Sequence, residues 1–155
     1  MFDNLKKMFN SSNAAPPQQQ LPDGMSFIVA GTEYHMDDIV FLATEQKKFS
    51  MPVEKIIEKG WINKKLFHYY FTNEPVTLVP EPTNQHDPNA VKVMINNIFV
   101  GYVPKTHNVL ALQLLSAGYS NITAYVSGGE YKKVNEAGQT AVFSDPIEIK
   151  VQIKR

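Results

Sequence analysis

Val76-Thr77-Leu78-Val79, Ala90-Val91-Lys92-Val93-Met94-Ile95 and Ile98-Phe99-Val100-Gly101-Tyr102-Val103 are three short runs rich in β-branched and aromatic residues. That composition fits a pleated, half-buried surface and predicts strands. Asn96-Asn97 separates the last two runs, and because asparagine tolerates left-handed backbone, the pair predicts a tight hairpin. Leu66 to Phe71 reads as a further strand just upstream. Pro104 follows the hairpin and can start a helix, since its fixed φ and missing N–H suit the first turn. Val109, Leu110, Leu112, Leu114 and Leu115 make that helix mostly apolar, and Gly118 fits the position past its end. Beyond it lie strands from Asn121 to Ser127, from Tyr131 to Val134 before Glu136-Ala137-Gly138, and over Ile147-Glu148-Ile149-Lys150-Val151-Gln152-Ile153. Strict alternation in the last of these gives one buried face. The fold class expected is mainly β (α+β), a small curved sheet or barrel with one or two helices plugging it.

Toward the N-terminus the signals weaken. Phe27-Ile28-Val29-Ala30, Gly31-Thr32 and Glu33-Tyr34-His35-Met36 predict a small hairpin. Asp37 or Asp38 is placed to cap a helix from Ile39 to Ala43. Ser50, Pro52 and Gly60 bracket another over Val53 to Lys59, with Val53, Ile56 and Ile57 as its buried stripe. Ser11 to Gly24 is Pro/Gln/Ser-rich with almost nothing apolar to bury, which predicts a disordered linker. Before it, Phe2, Leu5, Met8 and Phe9 fall at helical spacing in a ten-residue segment too short to hold a helix without a partner. The organisation expected is a disordered peptide and linker over 1–24, a small α/β extension over 25–60, and a β-barrel over 61–155.

Composition removes several function classes. The 155 residues carry 43% hydrophobic side chains, enough to close a core. No apolar run approaches the roughly 20 residues of a membrane span, and Met1 to Lys7 lacks a secretory apolar stretch, so the expectation is a cytoplasmic protein. With no cysteine there is no disulfide framework, thiolate nucleophile or cysteine zinc site. Fifteen basic against fifteen acidic residues give a net charge of zero, which does not suit a protein that coats duplex DNA. Residues 1–60 hold six Lys and eight acids, while 61–155 hold nine basic and seven acidic residues. Any nucleic-acid contact must therefore be local, and with Arg155 the only arginine, bidentate reading of guanine is nearly unavailable.

Between the strands sits Glu81-Pro82-Thr83-Asn84-Gln85-His86-Asp87-Pro88-Asn89. Pro82 and Pro88 fix φ, and Asn84, Asp87 and Asn89 have side chains that bond nearby backbone groups, so a wide connection is held rigid. Such a turn can present the Asp87 carboxylate; equally, Asp87 can cap the turn and face solvent.

Taken together, Val76 to Val93 and Phe99 to Pro104 resemble a HIRAN domain. The match lies at Glu81, Pro82, Asn84, Asp87, Asn89, Ala90, Val91, Val93 and Gly101 and in the helix that follows, and it extends more weakly from about Leu66 to Ile153. The resemblance implies an OB-like barrel and capture of the 3′-hydroxyl end of single-stranded DNA. It implies that Asp87 accepts the terminal hydroxyl and that His86 stands where a stacking aromatic is usual, a departure that offers less area. His68-Tyr69-Tyr70 aligns with a basic-Tyr-Tyr stretch, which makes Tyr69 a second stacking face, or else a core residue, and His68 a substitute for arginine. Phe143 aligns with an aromatic near the bound end, and Lys105 at the helix entry is placed to meet a phosphate. End capture needs few charges, because stacked bases contribute about 1–3 kcal/mol each.

Catalysis has no candidate. No Walker loop, Gly-x-Ser-x-Gly elbow or dinucleotide fingerprint occurs. The four histidines lack the His-x-x-x-His spacing that fixes a zinc shell, so no metal and no cofactor is expected. The rival reading is a protein-interaction adaptor that recruits a helicase or another protein through the N-terminal peptide. The two differ on whether residues 25–60 cover a groove formed by Tyr69, His86 and Asp87.

Overall fold

A computed structural model describes residues 20–155; the N-terminal peptide and most of the Pro/Gln-rich linker lie outside the described residues. In chain order the elements are β1 (Gly24–Ile28), a 3-10 turn (Thr32–Tyr34), α1 (Met36–Val40), β2 (Ala43–Glu45), α2 (Val53–Glu58), β3 (Leu66–Phe67), β4 (Tyr69–Phe71), β5 (Val76–Pro80), β6 (Val91–Ile95), β7 (Ile98–Tyr102), α3 (Lys105–Ala117), β8 (Asn121–Val134) and β9 (Thr140–Lys154). The protein is mainly β, with antiparallel sheets and few helices, a small OB-like β architecture. Its ladders form three sheets, β1-β9-β8-β3, β2-β4 and β5-β6-β7, packed around a main core and a smaller cluster under α2. These sheets do not join into a single hydrogen-bonded ring.

The β6-β7 hairpin turns on Asn96 and Asn97, whose φ values of 49° and 63° are the left-handed pair a two-residue turn needs. Ile149, Val151 and Ile153 of β9 are fully buried while the residues between them are exposed, as alternation requires. Val91, Val93 and Val100 face them in the main core, and Ala111 and Leu114 of α3 close over it. Each fully buried Val, Leu or Ile contributes about 1.5–3 kcal/mol. Of the apolar α3 residues, Val109 is half exposed, and the polar Asn108 is buried instead.

Four local expectations are corrected. The halves of the Phe27–Met36 hairpin do not pair with each other: β1 lies along β9, with Phe27 opposite Val151, and the chain after Gly31 coils into the 3-10 turn. Asp37 and Asp38 sit inside the first turn of α1, which starts at Met36 after His35 and ends before Ala43. Pro52 rather than Ser50 occupies the α2 cap, and Ile57 is 43% exposed, so the stripe under α2 is Val53 and Ile56 packed on Leu66 and Val134. Strands 121–127 and 131–134 are one strand, because Gly128 and Gly129 make a bulge opposite Asp145 to Glu148 where their spacing reads as a break.

Residues 24–42 share the main core with β5, β6, β7, α3 and β9. Phe27, Val29, Ile39 and Leu42 are buried in it. Ala30 and Tyr102 exchange two backbone hydrogen bonds of 2.8 and 2.9 Å, which attach the segment to β7. Gly101 permits that approach: its φ is 144°, and a Cβ there would strike the Ala30 carbonyl and lie 2.7 Å from Val29 Cγ1.

Candidate functional site

The turn between β5 and β6 is held by a chain of side chains. Glu81 Oε2 accepts from the Asn84 amide at 2.8 Å, and Asn84 Oδ1 accepts from the backbone N–H groups of His86 (2.9 Å) and Asp87 (3.0 Å). Asp87 Oδ1 accepts from the Asn89 N–H at 2.9 Å, and Asp87 Oδ2 from the amide of buried Asn108 on α3 at 2.7 Å. The turn is therefore braced on Glu81, the residue that follows β5, and tied through Asp87 to α3. Asp87 acts as a local cap and as a tether between two elements.

Glu81 is also the centre of a second contact set. Its Oε1 meets Lys92 Nζ at 2.9 Å and its Oε2 accepts from the Tyr102 hydroxyl at 3.0 Å. The hydrogen bond from Asn84, then those from Lys92 and Tyr102, hold its carboxyl below the ordinary carboxylate range. The same bond holds Lys92 above the usual ammonium range, while burial and then Glu81 push the Tyr102 hydroxyl up.

Beside this turn opens a cavity of about 280 Å³, walled by His86, Asp87, Tyr102, Pro104 and Lys105, with Ala30 from the N-terminal segment. Exposed His86 and Lys105 flank the half-buried Asp87. Lys105 is the first residue of the 13-residue α3, so the free N–H groups of that helix start lie at the same rim. His86, Asp87, Tyr102 and Lys105 thus share the walls of a mostly apolar hollow with Asn84.

Tyr69 is not in that cavity. It lines a second one of about 530 Å³ with Thr32, Met36, Val40, Glu130 and Pro146. The chain switches sheets at His68, between β3 on β8 and β4 on β2, and this turns Tyr69 toward the N-terminal segment. The His68 ring lies between Phe49 and Tyr69, 4.1 Å from each, and its nitrogens meet Glu130 (3.0 Å) and Glu45 (2.9 Å). Both nitrogens are thus occupied by carboxylates. Phe143 is on β9, half exposed and stacked on Tyr131 at 5.5 Å. The structure brings Asp87, His86 and Lys105 together and leaves Tyr69, His68 and Phe143 elsewhere.

Sequence reasoning missed Tyr102, Ala30 and Asn108. Tyr102 sits in the Gly101-Tyr102 step, and Asn108 is a buried amide in the first turns of an apolar helix, where a polar side chain needs a partner. Ala30 carried no signal, since it reaches the cavity only through the Tyr102 pairing. Among the described residues no group of three or more His, Asp or Glu is placed to hold a metal ion. No helix there is long and apolar enough to cross a membrane.

No curated protein sequence and no solved structure matches this chain. One family model does, described as the HIRAN domain, over residues 61–153. That span contains the turn, its tethers to β6, β7 and α3, and every wall of the Asp87 cavity except Ala30. The chain belongs to the HIRAN domain family, a family of DNA-binding modules.

Proposed function

We propose that this domain binds the 3′-hydroxyl end of single-stranded DNA in the Asp87 cavity. The observation that carries the reading is the state of the Asp87 carboxylate. It has about four lone-pair positions, of which Asn89 and Asn108 take one each, so it is fixed in place and still able to accept. A terminal hydroxyl donating to it contributes about 1.5–3 kcal/mol. The cavity is at the small end of ligand sites, which suits a terminal nucleoside better than a long stretch of strand. His86 offers a ring for the last base, and Lys105 with the α3 N-terminus meets the adjoining phosphate. On this account the domain binds and does not catalyse, and it serves replication, repair or mobile-element DNA in the cytoplasm, beside a helicase or another partner engaged by the N-terminal peptide.

A second reading, a protein-interaction adaptor, draws on Tyr34 and Phe41, which are 83% and 80% exposed on the segment preceding the family match. Against it, that segment gives the Asp87 cavity a single wall residue, Ala30, and does not fill it.

Backbone amide shifts read by NMR during titration with a short oligodeoxynucleotide test the reading. Changes concentrated at residues 84–90 and 102–106 support it. Changes confined to residues 32–41, or seen only with a protein partner, overturn it.

A further inference from the structure

A further cleft, of about 350 Å³, lies beside β3 and shares no residue with the Asp87 cavity. Gln46, Lys48, Trp61, Lys64, Lys65 and Phe67 line most of it. Lys48 Nζ and Lys59 Nζ stand 5.2 and 5.3 Å from the centre of the Trp61 ring. Lys65 is different, since its ammonium is bonded to Asp145 at 2.6 Å. Lys48, Lys59 and Lys64 make no ion pair among the described residues, and no acidic side chain lines the cleft.

In a chain of zero net charge, two ammonium groups held against one indole, with Lys64 lining the same cleft and no carboxylate among its walls, make a local positive field. Cation–π attraction to the ring holds the two there. Their positions are set by the fold rather than by the length of the side chains alone. Trp61 packs on the small cluster of Ile56, Leu66 and Val134, its N–H donates to the Ile56 carbonyl, and its carbonyl accepts from the Lys64 N–H. Asn63 between them takes a left-handed φ of 60° and bonds the Val134 carbonyl, which pins the loop carrying Lys64 and Lys65 to the end of β8.

We propose that the Trp61 cleft is a second nucleic-acid contact, which takes backbone phosphates of a strand regardless of its end or its sequence. Ammonium groups on flexible stems around a ring suit successive phosphates, and no fork of donors is present to read bases. The two contacts divide the work: the Asp87 cavity selects the terminus, and the Trp61 cleft adds salt-sensitive affinity for the strand behind it. This inference rests on the reading of the protein as a nucleic-acid binder but not on its preference for 3′ hydroxyls.

Trp61 is the only tryptophan in the chain and lines the cleft, so its emission reports on that neighbourhood. The test titrates a 3′-phosphorylated oligodeoxynucleotide into the full chain and follows Trp61 fluorescence, with wild type, Asp87→Ala and the double variant Lys48→Gln/Lys64→Gln. Inorganic phosphate at the same phosphate concentration is the control, and circular dichroism checks that each variant is folded. The expected result is an emission change in wild type and Asp87→Ala alike, absent from the lysine variant and from the phosphate control. For single strands the logarithmic salt slope falls by about 0.7 per phosphate contact, so the double variant loses about 1.4 from it. A silent Trp61, an equal response to inorganic phosphate, or an unchanged response in the lysine variant overturns the inference. If Asp87→Ala fails to alter discrimination between 3′ ends while Trp61 still responds, the end-capture reading fails and this inference stands.

Discussion

The buried amide of Asn108 donates to the Asp87 carboxylate at 2.7 Å, which joins the first turns of α3 to the turn that carries the candidate site. Removing either partner has unequal consequences. Asn108→Ala leaves a small void and frees one carboxylate oxygen, whereas Asn108→Asp sets two carboxylates against each other in a partly buried place. We expect Asn108→Ala to cost about 1.5–3 kcal/mol in urea unfolding, the range for hydrogen bonds to charged groups, and Asn108→Asp to cost more. Equal effects of the two would mean that the contact is not made to an ionised Asp87.

Gly101→Ala tests the attachment of the N-terminal segment. Its φ of 144° is poorly tolerated by an L side chain, and the added methyl strikes the Ala30 carbonyl and Val29. Backbone strain of this kind costs about 1–3 kcal/mol, and the clash adds to it. The expected outcome is a lower Tm together with loss of hydrogen-exchange protection at the Ala30 and Tyr102 amides. Protection lost elsewhere and kept at these two would contradict the pairing.

The Glu81 network predicts a pH dependence. Its folded-state pKa is depressed by Asn84, Lys92 and Tyr102, so the stability it supplies is present above the unfolded carboxylate value and is lost as pH falls through the folded one. Lys92 is raised, so its share is present below the ordinary ammonium value and is lost only as alkaline pH passes the raised one. Wild type should therefore exceed Glu81→Gln in stability at neutral pH, with the gap closing below the usual carboxylate range. A gap that stays constant down to strongly acid pH would show that Glu81 acts through shape and not charge.

The small cluster under α2 gives a packing test. Ile56 is fully buried among Leu66, Val134, Val53 and Trp61. Ile56→Ala should cost about 2–5 kcal/mol by denaturant unfolding and shift Trp61 emission in the folded state. A cost under about 1 kcal/mol would mean that α2 relaxes into the space.

The parts legible in the sequence were those set by neighbours. The Asn96-Asn97 turn, the alternation over Ile147 to Ile153 and the Pro104 helix start each follow from a local rule. The hairpin expected over Phe27 to Met36 failed because the partner of β1 is at the far end of the chain, with Phe27 opposite Val151, and an apolar run does not name its partner. The strand from Leu66 to Phe71 hid its switch of sheets at His68 for the same reason, and that switch separates Tyr69 from Asp87. Within the site, the Asn84 and Asp87 capping bonds were legible from residue type, while the bond from Asn108 needed the fold to bring α3 across.

The most direct test of the central claim is fluorescence polarisation of labelled single-stranded DNA carrying either a 3′ hydroxyl or a 3′ phosphate, titrated into wild type and Asp87→Ala. The account predicts that wild type prefers the free hydroxyl by about tenfold or more, the equivalent of a hydrogen bond to a charged acceptor, and that Asp87→Ala removes the preference. Equal affinity of wild type for both ends, or a preference that survives Asp87→Ala, would contradict it.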